Sequence, residues 1–416
     1  MRKPSESINS SILQLDTGDA NLFVDTDDTF SSRALDAMLT SLQIGDHYPQ
    51  DHMSGLSRVY VELIRALPPA GVEVHGMALG PTDVFEKTAG VVTPFADSHN
   101  PLWKRLILAR GAVRSLTRQY KIDLIASHFA LYSAFPDAIA KDIPLVVHFH
   151  GPWAGESAVE KGAAHRNWLK LILERHVYQR AKRLIVLSES FKTELLTHYG
   201  IDEELVRIVP GGIDVDRFNV TLSRAQARKK LGWPEDRPIL LTVRRQVRRM
   251  GLENLIDAAR NVILRFPEFL VYIGGTGPIA DELEKRIDEL NLNNNVRLLG
   301  RISEEMLPLA YRAADFTIVP SQFLEGFGMT SLESLASGTP VLVTPVGGLP
   351  EVIRPFSPQC ICSDTSVDAI TATILDMLRE PAKLPNEADC RAYAVQNFAW
   401  QRIAEKVRRV YEEAVK

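Results

Sequence analysis

Residues 321–333 have the sequence SQFLEGFGMTSLE, which places two glutamates, Glu325 and Glu333, eight positions apart around a Gly-Phe-Gly turn. An apolar run at 316–319 precedes them, so we expect a strand-to-helix junction with Glu325 in the loop and Glu333 inside the helix. In such a loop glycine backbone approaches a ligand closely, and the first N–H groups of the helix bind oxygen or phosphate. Because a carboxylate accepts two hydroxyl hydrogen bonds at once, the pair suits the vicinal diols of sugars and ribose. The alternative is a solvated helix face with two unrelated acids.

The rest of the chain has the pattern of an α/β protein. Apolar runs alternate with helical periods such as Leu255, Ala259, Val262 and Phe266. The runs predict buried strands at 145–149, 184–187, 239–243, 270–273, 296–299, 316–319 and 341–343, and a further strand at 38–44 that turn residues 45–49 close. Strands that are apolar on both faces and alternate with helices indicate parallel sheets. Two facing sheets of this kind leave a cleft at the carboxyl ends of their strands, where ligands bind.

The length of 416 residues gives room for two domains with large cores. The turn-rich stretch 209–214 (VPGGID) follows a strand near the middle of the chain and is the predicted boundary. We therefore expect a polar, acidic extension over 1–36, a first domain that begins at 37 and a second domain that begins at 214.

Composition and charge exclude several classes of protein. Apolar residues make up 45% and charged residues 24%, which excludes a fibrous or mostly disordered chain. The net charge of −4 argues against nucleic acid as a partner. No apolar run reaches the roughly 18 residues of a membrane span, and no secretory segment is visible. The three cysteines, Cys360, Cys362 and Cys390, cannot all pair in disulfides and fit no zinc spacing, so we expect a protein of the reducing cytoplasm.

Further motifs follow one another along the chain in a set order. They are Ser54-Gly55 before the first helix, His150-Gly151 after a strand, 210–218 (PGGIDVDRF), 274–278 (GGTGP) and the block 313–351. With the two glutamates, they resemble the retaining glycosyltransferases of family four. That family has the GT-B fold, in which two Rossmann-like domains with parallel sheets face each other. The resemblance implies that a terminal helix crosses back, so that 398–416 complete the first domain and 214–397 form the second.

The resemblance also implies a donor site in the second domain. Glu333 would bind the ribose hydroxyls of a nucleotide, and Glu325 would hold hydroxyls of the donor sugar together with the backbone of Gly326, Phe327 and Gly328. Further residues of the implied site are Arg301 and Ile302, which face the base, and the loop glycines Gly275 and Gly277.

A basic loop at 244–249 departs from the family pattern. Arg245 aligns with the arginine that binds the diphosphate, but Met250 stands where the family has a lysine. Fixed cations stabilise the leaving diphosphate as its negative charge grows, and methionine cannot do this. Our hypothesis is that Arg249 supplies the second cation, since guanidinium groups bind phosphate oxygens well. The alternative is that Arg248 and Arg249 both face solvent.

The first domain is expected to contribute a histidine and a glycine. The resemblance selects His150, at the carboxyl end of a strand, as the side chain that hydrogen-bonds the donor sugar near the reacting carbon. His148 points to the same face of the strand and is the competing, merely packed histidine, while His128 is a further candidate for the cleft. The backbone N–H of Gly55 would meet the diphosphate, although Ser54 replaces the first of the family's two glycines.

These assignments predict transfer of a hexose from a nucleotide-diphosphate sugar to a hydroxyl of a glycan or lipid-linked acceptor, with retention of configuration. The first domain would bind the acceptor and the second the nucleotide sugar. UDP is favoured over GDP by its frequency in the family. The expected mechanism is front-face, so it needs no enzymic nucleophile, no metal and no cofactor.

Three other functions stay open on the sequence alone. A GT-B sugar-nucleotide epimerase would share the sheets and the diphosphate site. A nicotinamide-dependent oxidoreductase rests only on the match of 275–280 to G-x-G-x-x-A, and a non-catalytic glycan-binding protein would not need the whole donor site. The D-x-D matches at 25–27 and 214–216 lie in the extension and in the predicted boundary, so they do not indicate a metal site.

The first domain also has a basic segment. Residues 101–121 contain six Lys and Arg and no acid, and Arg110, Arg114 and Arg118 recur every four residues beside Leu102, Trp103 and Ile107. A second basic segment lies at 161–183. The pattern predicts contact with an anionic membrane surface, which would make the protein peripheral on the inner face of the membrane. The alternative is a solvated helix that packs through its apolar residues.

Overall fold

The computed structural model describes residues 38–48, 55–134, 142–153 and 164–416. The expected extension at 1–36, Ser54 and the start of the second basic segment lie outside these ranges. Two parallel sheets with helices around them form the described part of the chain, which confirms the α/β architecture that the apolar runs predicted.

The first sheet has seven strands in the order β3-β2-β1-β4-β5-β6-β7. They are β1 (Leu39–His47), β2 (Val72–Leu79), β3 (Val92–Ala96), β4 (Leu124–Ser127), β5 (Leu145–Phe149), β6 (Arg183–Val186) and β7 (Val206–Ile208). Every neighbouring pair is parallel. The central strands β4 and β5 are almost wholly buried, as expected where helices cover both faces of a parallel sheet.

Strand β1 is longer than the sequence predicted. The expected turn at 45–49 does not begin at Gly45, because β1 continues to His47 and pairs again with Leu79 after an irregularity in register between Ile44 and His47. Pro49 of the expected turn lies outside the described residues. Gly45 lies within the strand against the ring of Tyr60, where a Cβ would come within 2.8 Å of the ring. The glycine is therefore explained by close packing within the strand rather than by a turn.

The second sheet has five parallel strands in the order β10-β9-β8-β11-β12. They are β8 (Ile239–Val243), β9 (Leu270–Gly274), β10 (Val296–Gly300), β11 (Phe316–Val319) and β12 (Val341–Val343). All five begin and end within one residue of their predicted bounds, because each is a short apolar run that helices enclose on both faces.

Fifteen α-helices accompany these strands in the described ranges. Those of the first half are α1 (Gly55–Ala66), α2 (Val84–Lys87), α3 (Leu102–Gln119), α4 (Ala130–Ser133), α5 (Ala164–Tyr178) and α6 (Glu189–Glu194). Those of the second half are α7 (Arg224–Leu231), α8 (Leu252–Ile263), α9 (Ala280–Glu289), α10 (Leu307–Ala313), α11 (Met329–Ala336), α12 (Leu349–Ile353), α13 (Val367–Arg379), α14 (Glu387–Phe398) and α15 (Trp400–Val415).

The last helix returns to the first sheet, which confirms the predicted crossover. The buried face of α15 includes Trp400, Val407 and Tyr411 and joins the core that α1 and β2 form. Beside the crossing, the N–H of Ile213 donates a 2.7 Å hydrogen bond to the carbonyl of Phe398. The chain's end is therefore part of the same core as its first strands.

Three further observations concern membrane spans, metal sites and disulfides. Across the described ranges, no helix is both long and apolar enough to cross a bilayer. In the same ranges, no group of three or more His, Cys, Asp or Glu side chains is placed to hold a metal ion. The three cysteines are buried and form no disulfide.

Candidate active site

A cavity of about 510 Å³ lies between the two domains, at the carboxyl ends of strands from both sheets. The start of α1 and the ends of β4 and β5 form its first-domain wall. The loop after β8 and residues 324–330 form the wall of the second domain. The cavity brings together these predicted site residues: Gly55, His128, His150, Arg245, Arg249, Glu325, Gly326, Phe327 and Gly328.

Glu325 lies in the loop between β11 and α11, as the sequence predicted, and its side chain is 12% exposed. It forms an ion pair with Arg244 and accepts a 3.0 Å hydrogen bond from Ser321 Oγ. Burial raises the pKa of Glu325, but the Arg244 guanidinium and the Ser321 hydroxyl outweigh burial and hold that pKa below its ordinary value. The carboxylate is therefore ionised at neutral pH and offers its remaining lone pairs to the cavity.

Glu333 lies inside α11, also as predicted, and is buried at the domain interface. Its Oε2 accepts a 2.8 Å hydrogen bond from the Tyr311 hydroxyl, and its Oε1 lies 3.2 Å from Arg58 Nη1 on α1. Burial raises the pKa of Glu333, and Arg58 and Tyr311 oppose part of that rise. Arg58 also lies 2.9 Å from Glu304, so one guanidinium of the first domain holds two carboxylates of the second.

The Gly-Phe-Gly turn lies where the two domains touch. At Gly326 a Cβ would come within 2.3 Å of the ring of Phe191 on α6, so glycine is required for this approach. The side chain of Phe327 is 2% exposed and packs 5.9 Å from Phe398, measured between ring centroids. Gly328, with φ of +78°, occupies the left-handed region directly before α11. The turn thus presents mainly backbone to the cavity.

The predicted arginines of the loop after β8 take different positions. Arg245 is exposed and lines the cavity. Arg249 is buried, lines the same cavity and donates a 3.0 Å hydrogen bond from Nη1 to the carbonyl of Leu324. Arg248 is exposed and pairs with Glu253 at 2.8 Å. The solvent-facing alternative therefore holds for Arg248 and is wrong for Arg249.

Sequence reasoning missed Arg244, a second buried cation of the site beside Arg249. Its side chain is 6% exposed and forms the ion pair with Glu325. Its Nη2 lies 2.9 Å from Ser321 Oγ and 2.7 Å from Met250 Sδ. The basic run at 244–249 was the only signal in the sequence that could have pointed to Arg244. The resemblance selected its neighbour Arg245 instead, and no spacing of residues singled out position 244.

Three histidines stack at the ends of β4 and β5. The ring centroid of His128 lies 4.3 Å from that of His148 and 5.4 Å from that of His150, and His128 Nδ1 lies 3.2 Å from His150 Nε2. Burial lowers the pKa of His150 to about 4 and lowers the pKa values of His128 and His148 well below their ordinary value. All three rings are therefore neutral near pH 7, and His148 belongs to the same unit as His150 rather than competing with it.

Two further residues that sequence reasoning missed orient this stack. The Gln43 amide donates from Nε2 to Ser41 Oγ at 2.9 Å, which turns its Oε1 towards His128 Nε2, also 2.9 Å away. With that orientation His128 donates from Nε2 and accepts at Nδ1 from His150, so His150 keeps an unprotonated Nδ1. Tyr411 OH lies 2.8 Å from His148 Nε2 and connects the stack to α15.

Acidification should destabilise the protein through this stack. The folded-state pKa values lie below the unfolded value of about 6.5, so stability is full above about pH 6.5 and is lost as the pH falls towards 4. For His150 alone the shift corresponds to about 3 kcal/mol. Urea unfolding between pH 7 and pH 5 should therefore show a falling midpoint in the wild type and a shallower fall in His150→Asn. The exposed control His99→Asn should keep the wild-type slope, and equal slopes in all three proteins would contradict the assignment.

Five predicted site residues do not line the cavity: Glu333, Gly275, Gly277, Arg301 and Ile302. Cβ atoms at Gly275 and Gly277 would come within 1.9 Å and 2.3 Å of backbone carbonyls in the loop 244–246, so both glycines are explained by the packing of two loops. Arg301 is exposed directly after β10, and Ile302 packs over Gly274. Their assignment to the nucleotide stays a prediction.

Two family profiles match the chain. A family described as Glycosyltransferase Family 4 matches residues 53–217, and a family described as Glycosyl transferases group 1 matches residues 223–397. Among curated proteins, a D-inositol 3-phosphate glycosyltransferase of Corynebacterium jeikeium is 30% identical over 335 residues, or 76% of this chain and 78% of the relative. An MMP alpha-(1->4)-mannosyltransferase of Mycolicibacterium hassiacum is 27% identical over 309 residues, or 72% of each chain.

Solved structures share the fold. Sucrose-phosphate synthase from Thermosynechococcus elongatus has a TM-score of 0.77 at 23% identity, over 90% of this chain and 98% of that one. Anabaena HepE, in complex with UDP and glucose, has a TM-score of 0.73 at 20% identity, over 90% of this chain and 99% of that one. The two facing sheets and the cleft between them define a GT-B protein. The chain belongs to the group 1 and family 4 glycosyltransferases and is a glycosyltransferase.

The other functions are not favoured. The pattern at 275–280 follows β9 in the second sheet rather than the first strand of the chain, and its glycines serve loop packing, so little supports a nicotinamide site. The matched relatives are transferases, which favours neither an epimerase nor a non-catalytic glycan-binding protein.

Proposed function

We propose that this glycosyltransferase moves a hexose from a nucleotide-diphosphate sugar, UDP-hexose in the first place, to a hydroxyl of a glycan or lipid-linked acceptor. The observation that carries the proposal is that Glu325 of the second domain and His150 of the first domain both line the same cavity. Glu325 offers an ionised carboxylate to sugar hydroxyls, and His150 offers a neutral imidazole. The choice of UDP is supported by Anabaena HepE, which was solved with UDP and with UDP-glucose.

The two domains divide the substrates in this proposal. The acceptor binds to the first domain, 37–213 with 398–416, and the nucleotide sugar binds to the second, 214–397. Glu333 accepts the ribose hydroxyls and Arg301 lies towards the base. Further proposed donor contacts are the backbone groups of Gly55, Gly275, Gly277, Ile302, Gly326, Phe327 and Gly328.

The proposed mechanism is front-face and retains configuration. The bond between C1 of the hexose and the diphosphate oxygen breaks while the acceptor oxygen bonds to C1 from the same face. The acceptor's proton passes to the leaving diphosphate oxygen, so the reaction uses no enzymic nucleophile, metal or cofactor. Arg245 and Arg249, which line the cavity, stabilise the negative charge that grows on the diphosphate.

A panel of nucleotide sugars tests the proposal. Without an acceptor, the protein should slowly release UDP from one UDP-hexose, and the release should persist in EDTA. NMR of the product formed with an added acceptor should show the anomeric configuration of the donor. Release of GDP from GDP-hexoses alone would show that the donor carries guanine rather than uracil. Hydrogen exchange at C2 of the hexose would favour the epimerase. A well-folded protein that turns over no donor would refute the proposed activity.

We also propose that the first domain docks on anionic lipid through exposed residues of α3 and α5. On α3, Trp103 and Ile107 are 64% and 63% exposed, and Arg110, Arg114 and Arg118 are exposed beside them. On α5 the exposed apolar residues are Trp168, Leu169 and Ile172. The short helix α4 packs against both α3 and α5. Exposed aromatic and apolar side chains among basic ones suit a lipid surface.

Vesicle flotation at physiological salt tests this surface. Wild-type protein should float with vesicles that contain anionic lipid, and it should not float with purely zwitterionic vesicles. Arg110→Glu with Arg114→Glu should weaken flotation at least about tenfold, because each basic residue near an anionic surface contributes about 1 kcal/mol. The matched control, Lys229→Glu with Lys230→Glu on α7 of the other domain, should float like the wild type. Equal flotation of both double variants would refute the assigned surface.

A further inference from the structure

The Arg244 guanidinium lies in the cavity wall at the point where the basic loop meets α11. Its Nη1 donates to Thr330 Oγ1 at 3.2 Å, and its Nη2 to Ser321 Oγ at 2.9 Å. The same Nη2 lies 2.7 Å from the sulfur of Met250 and pairs with Glu325. The charge of Arg244 therefore occupies the space beside the tip of the Met250 side chain.

This cation is not explained by packing alone. Its Nε is buried and has no hydrogen-bond partner in the described part of the chain. Burying a guanidinium is costly unless its charge is matched, and its ionic partner here is Glu325, which lines the cavity itself. Arg244 itself lines the cavity, as do Met250 and Thr330, two of its other neighbours.

We propose that Arg244 supplies the cation that the resemblance expects at position 250. The proposal rests on the proposed function, since it concerns the diphosphate of the donor. Met250 removes a positive charge from the loop, and Arg244 returns one to the same place from six residues earlier in the chain. With the donor bound, Glu325 turns its lone pairs to the sugar and Arg244 contacts the diphosphate next to Arg245.

Arg249 has a second role in this arrangement, in addition to the one proposed for it beside the diphosphate. Its Nη1 is directed at the carbonyl of Leu324, the residue directly before Glu325. Leu324 has φ of +53°, a conformation that is unfavourable for leucine, and the hydrogen bond from Arg249 helps to hold it. Arg249 thus positions the loop that carries Glu325, and Arg244 is the guanidinium beside Met250.

Exchange of the charge between the two positions tests the proposal. Arg244→Met should lower the kcat of UDP release by about 10²–10³-fold, because a fixed cation is lost where negative charge develops. Met250→Lys alone should also be impaired, since it places a second cation beside Arg244. The double variant Arg244→Met with Met250→Lys should regain at least tenfold over Arg244→Met. Arg248→Met, an exposed change in the same loop, should keep wild-type kcat.

The outcomes separate this proposal from the proposed function. Wild-type turnover in Arg244→Met would refute the role proposed for Arg244. A folded double variant with no more activity than Arg244→Met would also refute that role, because it would indicate that Arg244 is only structural. If Arg244→Met does not fold, Arg244→Lys takes its place and should keep at least tenfold more activity than a folded Arg244→Gln. Failure of the wild type to turn over any nucleotide sugar would instead refute the proposed function.

Discussion

Glu325→Gln is expected to lower the kcat of donor turnover by about 10²–10³-fold while the affinity for UDP alone does not fall. Glutamine keeps the shape of the side chain and can still accept from Ser321 Oγ, so the loop before α11 stays in place. It loses the charge that sugar hydroxyls bind and leaves Arg244 without its ionic partner. The loss should therefore concern the sugar and the reaction, and not the nucleotide.

Turnover and binding are measured separately to check this. UDP release at saturating donor gives kcat, and calorimetric titration with UDP gives the nucleotide affinity. Glu305→Gln, an exposed glutamate of the same domain, should match the wild type in both. Because breaking a buried ion pair costs about 3–5 kcal/mol, urea unfolding is run alongside to establish that Glu325→Gln is folded at the assay temperature. Wild-type turnover in the folded variant would show that Glu325 does not bind the donor sugar.

Local patterns predicted the second sheet because each of its strands is a short, largely apolar run enclosed by helices, whereas β2 (Val72–Leu79) and β3 (Val92–Ala96) of the first sheet were not predicted. The runs at 239–243 and 316–319 became β8 and β11 with the predicted bounds. The spacing of the two glutamates predicted their places correctly, because the apolar run before them marks a strand-to-helix junction. At such a junction the first glutamate lies in the loop and the second, eight positions later, lies in the helix. The error at 45–49 arose where a glycine served packing inside a strand rather than a turn.

The polar partners of the site could not be predicted, because they meet only after the chain folds. Gln43 and Tyr411 are 368 positions apart and meet beside His148. Arg244 and Glu325 are 81 positions apart, and no periodicity relates a loop after one strand to a loop after another. The short turn at Arg248–Met250 sends one of two adjacent arginines to solvent and the other into the cavity wall, which composition does not reveal.

Glu333, the proposed ribose-binding residue, already forms a contact between the domains, with which a nucleotide bound there would compete. Arg58 Nη1 of α1 lies 3.2 Å from Glu333 Oε1, so ribose hydroxyls that bind to Glu333 as proposed would displace the guanidinium or share the carboxylate with it. Burial favours the protonated form of Glu333, and Arg58 favours the ionised form. Arg58 therefore keeps the carboxylate ready to accept hydroxyl hydrogen bonds, at the cost of occupying one of its oxygens.

Glu333→Gln should accordingly weaken the binding of UDP by about 10²-fold and leave kcat at saturating donor within about threefold, because hydrogen bonds to a charged group contribute about 1.5–3 kcal/mol each. Arg58→Met should instead give a UDP affinity that declines as the pH falls, since the pKa of Glu333 rises once its cation is gone and only the ionised form accepts two hydroxyls. Calorimetric titration with UDP from pH 8 to pH 5.5 measures both effects. Arg65→Met, an exposed change on the same helix, should follow the wild type. Equal affinity in Glu333→Gln, or a pH profile of Arg58→Met that matches the wild type, would show that the nucleotide does not bind through this carboxylate.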